Sequence, residues 1–577
     1  MRAVKVLLLA CAIAAVQASA ASAATVAVSL GTFSDSITYS GAGTEANNVT
    51  VTFTGGNYVF TETGPAVTLT DGDGAGGCAV AANVGTCPSM GMDGFTVNGV
   101  NGSDTVNASA TAPPGGADIN GGDGDDNLTG TASGFDSVRG DAGGDTLNGG
   151  DGADSLLGGA DIDTLNGGEG NDSLQGGSGG DTLNGEGGDD TVTGGSGADL
   201  QSGGAGHDRV SFADHANDVT ATMNGAPDDG EGGEGDNVGS DFEDFTGGSG
   251  NDTFTGTAGR NDIRGGGGND LLAGGDGDDT IDGNDGNDVV DGGAGGDNLD
   301  GSAGNDIVSG GDGDDNVDGG FGADAVAGGK GNDFEGSYGG RDNPVSITQD
   351  GKPNDGEAGE GDNVAEDLED LTGGRGDDVI GGGKGPNSID GNAGNDKLSG
   401  GSGDDFVNGD SGNDQVDGGK GDDGVDGGRG TDDVRGGSDE DYTDEGFREP
   451  VTVSLDDKAN DGEKAEGDNI HKDVEEVFTG NGNDKITGSK AANRLYGAGG
   501  ADSINGGGGN DILEGSGGND KLNGGSGRDT LTGNVGNDSL DLRDSDADDA
   551  FCGAGTDSVR TRGKRDRISP DCEKVRR

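Results

Sequence analysis

The chain has 577 residues, only 28% of them hydrophobic and 3% aromatic, and a formal net charge of −78. That apolar share is well below the globular average and excludes several thick cores, whatever the length suggests about domain number. The acidity excludes nucleic acid and anionic membranes as partners and favours multivalent cations.

In chain order, residues 1–23 read as a cleaved secretory leader: Arg2 and Lys5 precede an apolar run, then small residues up to Ala20 and Ala23. Nothing later is long and apolar enough to serve as a transmembrane segment. Residues 24–98 hold Val/Thr/Phe/Tyr-rich stretches (VTVTF, YVFTET, AVTLT) at roughly ten-residue spacing. They predict an N-terminal β cap over the open end of a repetitive fold.

From Gly149 to Ser211 a nine-residue unit repeats without a gap: GGDGADSLL, GGADIDTLN, GGEGNDSLQ, GGSGGDTLN, GEGGDDTVT, GGSGADLQS, GGAGHDRVS. Glycines fill positions one, two and four, Asp fills position six, and an apolar residue usually fills position eight. A random Gly/Asp polymer would not hold that register, so the pattern argues against a disordered acidic chain. The nonads form four arrays, at 99–211, 247–336, 373–444 and 479–541. The inserts between them, 212–246, 337–372 and 445–478, resemble one another, with PDDGEGGEGDNV, PNDGEAGEGDNV and ANDGEKAEGDNI at their centres. Their alternating flanks (VTATM, VSITQ, VTVSL) predict strands within the same solenoid. The insert carboxylates Asp229, Glu231, Glu234 and Asp236, with counterparts in the other inserts, read as a solvated acidic turn, against additional calcium sites. Residues 542–577 form a C-terminal disulfide cap and basic tail. Cys78, Cys87, Cys552 and Cys572 allow three pairings, of which the short loops favour Cys78–Cys87 and Cys552–Cys572.

Chemistry follows from the unit itself. Glycine permits backbone shapes that bring carbonyls together, and the Asp adds a hard anionic oxygen of the kind calcium takes in sets of six to eight. One buried Leu or Val per unit stabilises by about 1.5–3 kcal/mol, far below the entropy lost by nine ordered residues. A ligand that binds only the folded form is therefore needed, and the chain is expected to be coil without calcium.

These units resemble the RTX, or hemolysin-type, calcium-binding nonapeptide repeat. The resemblance covers roughly two-thirds of the chain. It implies an all-β, parallel β-roll solenoid with two nonads per coil, roughly 17 coils, β caps at both ends, and several calcium ions, roughly one per well-formed nonad. The inserts and the ending FCGAGTDSVRTRGKRDRISPDCE also resemble segments that accompany such repeats in exported actinobacterial proteins. The metal ligands it implies are the position-six residues. In the first array these are Asp126, Asp136, Asp145, Asp154, Asp163, Asp172, Asp181, Asp190, Asp199 and Asp208. In the second they are Asp252, Asp270, Asp279, Asp288, Asp297, Asp306, Asp315, Asp324 and Asp333. The third contributes Asp378, Asp396, Asp405, Asp414, Asp423 and Asp432, and the fourth Asp484, Asp502, Asp511, Asp520, Asp529 and Asp538. Ligands eighteen residues apart would share an ion: Asp154 with Asp172, Asp163 with Asp181, Asp270 with Asp288, Asp279 with Asp297.

Three departures carry expectations. Asn261, Asn387 and Asn493 stand at position six after each insert and predict weak or absent metal there. Leu200 and Gln201, at positions seven and eight, predict a local irregularity. The export leader is N-terminal, whereas the familiar toxins and proteases of the family export through a C-terminal one.

Other motifs read as background. The GGSGG at Gly176–Gly180 lies in a nonad turn, not a nucleophile elbow. Asp71–Gly76 begins like an EF-hand loop but has Ala82 at its twelfth position. His207, His215 and His471 read as surface residues. The basic tail reads as a soluble cap, against holding anionic polymers or folding back on the acidic roll. The sequence thus predicts a secreted, non-enzymatic, calcium-binding structural, surface or adhesive protein. Cell-surface glycans or matrix are candidate partners, suited to regular faces of Asn, Thr, Ser and Asp. The alternatives are a calcium reservoir or mineral-interacting protein, or a calcium-dependent secreted hydrolase.

Overall fold

The computed structural model describes residues 25–31, 34–40, 48–54, 57–62, 68–71, 79–81, 84–88, 92–110, and 116–577 apart from 337, 447–449, 465 and 563–564. The leader, the Cys78–Cys87 pairing and the Asp71–Gly76 loop fall wholly or partly outside the described residues. What is described is all β, a parallel solenoid of about 26 turns. The chain divides into two compact units, Met1–His215 with Thr220–Asp244, and Ala216–Val219 with Phe245–Arg577.

In the first unit, two parallel ladders face each other. One runs through Met92–Asn101, Ala117–Asp123, Ser137–Ala142, Ser155–Ala160, Ser173–Ser178, Thr191–Ser196 and Arg209–Ser211. The other runs through Thr105–Ala110, Asn127–Thr129, Thr146–Asp151, Thr164–Glu169, Thr182–Gly187 and Leu200–Ala205, and Asn237–Val238 of the insert closes it. Successive strands pair residues eighteen apart, such as Leu147 with Leu165, because two nonads complete one coil. Position eight points inward: Leu147, Leu156, Leu165 and Leu174 are at most 1% exposed. Positions seven and nine face outward by the two-residue pleat. Ahead of the first coil, Asn48–Thr54 and Asn57–Glu62 form an antiparallel pair, and the Phe60 ring meets Phe95 edge-on at 5.9 Å.

In the second unit one ladder continues past the later inserts, while the facing ladder is rebuilt at each. Asn363–Val364 closes one facing sheet and Val345–Thr348 starts the next. Asn469–Ile470 and Val451–Ser454 do the same at the third insert. Each insert is folded on itself by an antiparallel bridge, Asp229 to Asp236, Asp355 to Asp362 and Asp461 to Asp468. The inserts and the two end segments thus add turns to the roll, which has about 26 rather than the 17 or so expected from nonads alone. The last coil is closed by Lys574–Arg576 pairing with Ser558–Thr561 and by the Cys552–Cys572 disulfide. Arg567 ion-pairs with Asp549, so part of the basic tail does lie back on acidic surface.

The irregularity expected at Leu200 and Gln201 is absent from the backbone: Leu183 pairs with Gln201 in unbroken register. The strain sits in the core instead. Gln201 is 1% exposed, and neither its Oε1 nor its Nε2 has a hydrogen-bond partner. Gln201→Leu should therefore raise stability by about 2 kcal/mol, since each unmade buried hydrogen bond costs roughly 1–3 kcal/mol. Thermal melts in saturating calcium would show it; an unchanged or lower midpoint would contradict it.

Candidate metal centre

Each strand is preceded by its Asp. The glycine turn brings the chain around, and position six enters the interior one residue before the strand begins. All thirty-one Asp residues named above are buried, at 0–3% exposure. In nearly all of them Oδ1 accepts the backbone N–H of the position-six residue one coil earlier. Asp154 N–H donates to Asp172 at 2.7 Å, Asp163 to Asp181 at 2.8 Å, Asp270 to Asp288 at 2.7 Å and Asp279 to Asp297 at 2.8 Å. The four pairs expected eighteen residues apart are thus neighbours along the stack.

The second oxygen is the informative one. In twenty-seven of the thirty-one, Oδ2 is buried without a hydrogen-bond partner among the described residues. It lies against position one, where only glycine fits: a Cβ on Gly149 would stand 2.5 Å from Asp154 Oδ2 and 2.6 Å from the Gly167 carbonyl oxygen of the next coil. Gly158 has the same surroundings, Asp163 Oδ2 at 2.5 Å and Gly176 O at 2.6 Å. Anionic and carbonyl oxygens thus converge in repeated sets, a donor chemistry that fits calcium. Burial, reinforced by the carboxylates of adjacent coils, pushes Asp154 and Asp163 up to about 6 and Asp172 and Asp270 up to about 7. The ladder is a row of buried carboxylates stacked on one another, which is costly to ionise.

The exceptions are specific. Asp136 Oδ2 accepts from the Thr131 N–H and hydroxyl, Asp252 Oδ2 from the Gly248 N–H and Asp378 Oδ2 from the Gly374 N–H. Asp529 instead groups with Asp544 and Asp548, their carboxylate oxygens lying within 4.8 Å of one another. At the Asn positions the amide satisfies itself. Asn387 Oδ1 accepts from the Gly383 N–H, and its Nδ2 donates to the Leu368 carbonyl. Asn493 does likewise with Ser489 and Val474. An N–H donor there takes up carbonyl capacity that a cation would use.

Sequence reasoning missed several members of the ladder. Asp441 and Asp557 have the same orphaned Oδ2, Asp104 donates its N–H to Asp126, and all three hold position six of an imperfect nonad. At the inserts the ladder passes to Asp236, Asp362 and Asp468, which accept from Asp199, Asp324 and Asp432. On the other edge it passes to Glu243, Glu369 and Glu475, which accept from Asp208, Asp333 and Asp441. The insert is therefore not the solvated acidic turn expected. Asp229 and Asp236 are 2% and 0% exposed, and both Asp229 oxygens accept backbone N–H groups, from Thr222 and Val238. Glu231 and Glu234 are half-buried.

His215 also departs from the surface role expected. It is 7% exposed, packs edge-on against Phe212 at 5.3 Å, and lies 3.0 Å from Asp214 and 3.5 Å from Glu234. In the second insert Arg341 stands against the corresponding Glu360 at 2.8 Å, and the Tyr338 hydroxyl donates to Asp362 at 2.6 Å. His471 is half-buried between Asp433 and Asp457.

The model of the RTX calcium-binding nonapeptide repeat (4 copies) matches ten segments: 131–165, 166–201, 239–272, 246–281, 264–299, 300–335, 372–407, 408–442, 478–513 and 506–540. Together they cover just over half of the chain. The chain belongs to the RTX family. It is a calcium-binding repeat protein, and its β-roll is the fold expected of RTX nonads. No curated protein matches it as a relative. Among the described residues, no helix is long and apolar enough to cross a membrane.

Proposed function

We propose that this RTX protein is an exported structural, surface or adhesive element whose folding is coupled to extracellular calcium. The observation that carries the reading is the orphaned Oδ2 of the position-six ladder. The residues that would hold the metal are the position-six Asp residues of successive coils, with carbonyl oxygens of the glycine turns. Calcium, when bound, supplies the positive charge that these buried carboxylates lack. The chain's own part is to present those oxygens only when two coils are stacked, because Asp163 Oδ1 is fixed by the Asp145 N–H and Asp181 Oδ1 by the Asp163 N–H. Metal affinity is thereby folding free energy. Export is supported by the disulfide Cys552–Cys572, a bond that persists outside the reducing cytosol.

The test is Asp163→Asn with Asp181→Asn. Asparagine keeps an Oδ1 able to accept the N–H of the preceding coil, while removing the negative charge. The double variant should still fold at high calcium, bind fewer ions by calorimetry, and be less stable than wild type by about 1–3 kcal/mol at millimolar calcium. Unchanged calcium content would reject these two residues as ligands.

A further inference from the structure

One outer face of the first unit differs in chemistry from the rest of this acidic chain. On the ladder that contains Thr146–Asp151, Thr164–Glu169 and Thr182–Gly187, the triplet Thr-Leu-Asn occurs three times in register, at 146–148, 164–166 and 182–184. Leu turns in, and Thr and Asn turn out. The preceding coils continue the face with the same two residue types, Thr105 and Asn107 in the same order and Asn127 and Thr129 with the order exchanged between the two files. Five consecutive coils thus present five threonines and five asparagines and no charged side chain at these positions, in a protein with 111 acidic residues. Carboxylates border the files without entering them: Asp151 and Glu169 stand at the ends of their strands, and exposed Glu186 follows Asn184 by two residues.

The array is fixed before any partner arrives. Asn166 Nδ2 donates to Asn148 Oδ1 and Asn184 Nδ2 to Asn166 Oδ1, both at 2.9 Å, which locks the amide file and leaves each amide further capacity. Among the described residues, no hydrogen bond engages the hydroxyls of Thr146, Thr164 and Thr182. The parallel sheet sets the grid at about 4.8 Å between coils and about 6.7 Å between the two files. Threonine adds a methyl beside each hydroxyl, so the face offers alternating polar and C–H contact.

We propose that this Thr/Asn face is a binding surface for an uncharged, linear polysaccharide. Charge decides the class. A polyanion is repelled by a molecule of net charge −78, and a cationic partner would settle on the acidic turns rather than on these uncharged files. A neutral, hydroxyl-rich polymer meets periodic donors and acceptors here, and a rigid face loses little entropy on binding it. The proposal rests on the reading of the chain as an exported surface protein only for its setting.

The experiment uses the full mature chain, folded in calcium, with microcrystalline cellulose, chitin and galactomannan as probes. Wild type should be retained by at least one of the three. Thr164→Glu should weaken that retention at least tenfold, and Ser173→Glu, on the outer face of the opposite ladder, should leave it unchanged. Thr146→Ala with Thr182→Ala removes hydroxyls without adding charge and should also weaken it, which guards against misfolding of the Glu variant. Retention by none of the probes, retention of Thr164→Glu equal to wild type, or binding confined to a polyanion such as alginate or to ice would overturn the proposal. Circular dichroism of the same samples reads the calcium claim separately. A chain that folds on calcium yet ignores all three polysaccharides overturns this face alone; one that is folded and retained in chelator overturns the calcium coupling alone.

Discussion

In excess chelator, lowering the pH from 8 to 5.5 is expected to restore β structure to a chain that is coil at pH 8. The reason is the buried carboxylate ladder. Desolvation, with the neighbouring carboxylates of the stack, pushes Asp126, Asp145, Asp414 and Asp502 up to about 7, and Asp279, Asp306 and Asp405 up to about 6. An unfolded Asp titrates near ~3.9. Between those values the folded form binds more protons than the unfolded one, so stability rises as the pH falls. The penalty is complete above about pH 7, shrinks through the window from about 7 to 4, and is gone below it. One carboxyl moved from about 3.9 to about 7 costs roughly 4 kcal/mol at pH 8, and several such sites exceed the whole stability of an ordinary domain. With calcium saturating, the direction reverses, because protons then compete with the metal for the same oxygens. Far-UV circular dichroism across this range, with and without calcium, checks both signs. A chelated chain equally unfolded at pH 5.5 and pH 8 would show that buried charge is not what holds the fold back.

Gly170→Ala is expected to destabilise the calcium-loaded roll by about 3 kcal/mol or more. Gly170 has φ +127°, and a Cβ there would lie 1.7 Å from the Gly152 carbonyl oxygen of the preceding coil. The coils cannot separate to make room. Gly152 N–H bonds to the Glu169 carbonyl and Gly170 N–H to the Gly187 carbonyl, each at 2.6 Å, and the Asp154–Asp172 contact crosses the same gap. The control is one turn away. Gly187 meets nothing closer than the Glu169 carboxylate at 3.5 Å, so Gly187→Ala should change stability by no more than about 0.5 kcal/mol. Thermal melts at fixed calcium compare the two; equal effects would contradict the stacking geometry.

The parts of the fold governed by the nine-residue period were legible in the sequence. Leu147, Leu156 and Leu165 had to face inward together, and Asp154 and Asp172 had to be neighbours, because both follow from two units per coil. Less legible was everything that depends on which atom meets which. The sequence gives no sign that Asp136, Asp252 and Asp378 spend their second oxygen on Thr131, Gly248 and Gly374. The inserts hid their share of the ladder because Asp199 meets Asp236 thirty-seven residues on, and Asp208 meets Glu243 thirty-five on, where a search at eighteen finds nothing. Composition suggested a wet acidic turn there; the antiparallel bridge between Asp229 and Asp236 buries it instead. The burial of His215 is hidden in the same way, since Phe212 and Glu234, which pack against it, are brought together only by the folding of the insert.

The central claim is that the buried ladder makes folding wait for calcium. Its most direct test is a calcium titration of the mature chain at pH 7.5, followed by far-UV circular dichroism from excess chelator to ten millimolar. The expected result is a coil spectrum without calcium and a cooperative gain of β signal at sub-millimolar to millimolar calcium, reversed by chelator. A β spectrum in excess chelator, unchanged as calcium is added, would contradict it.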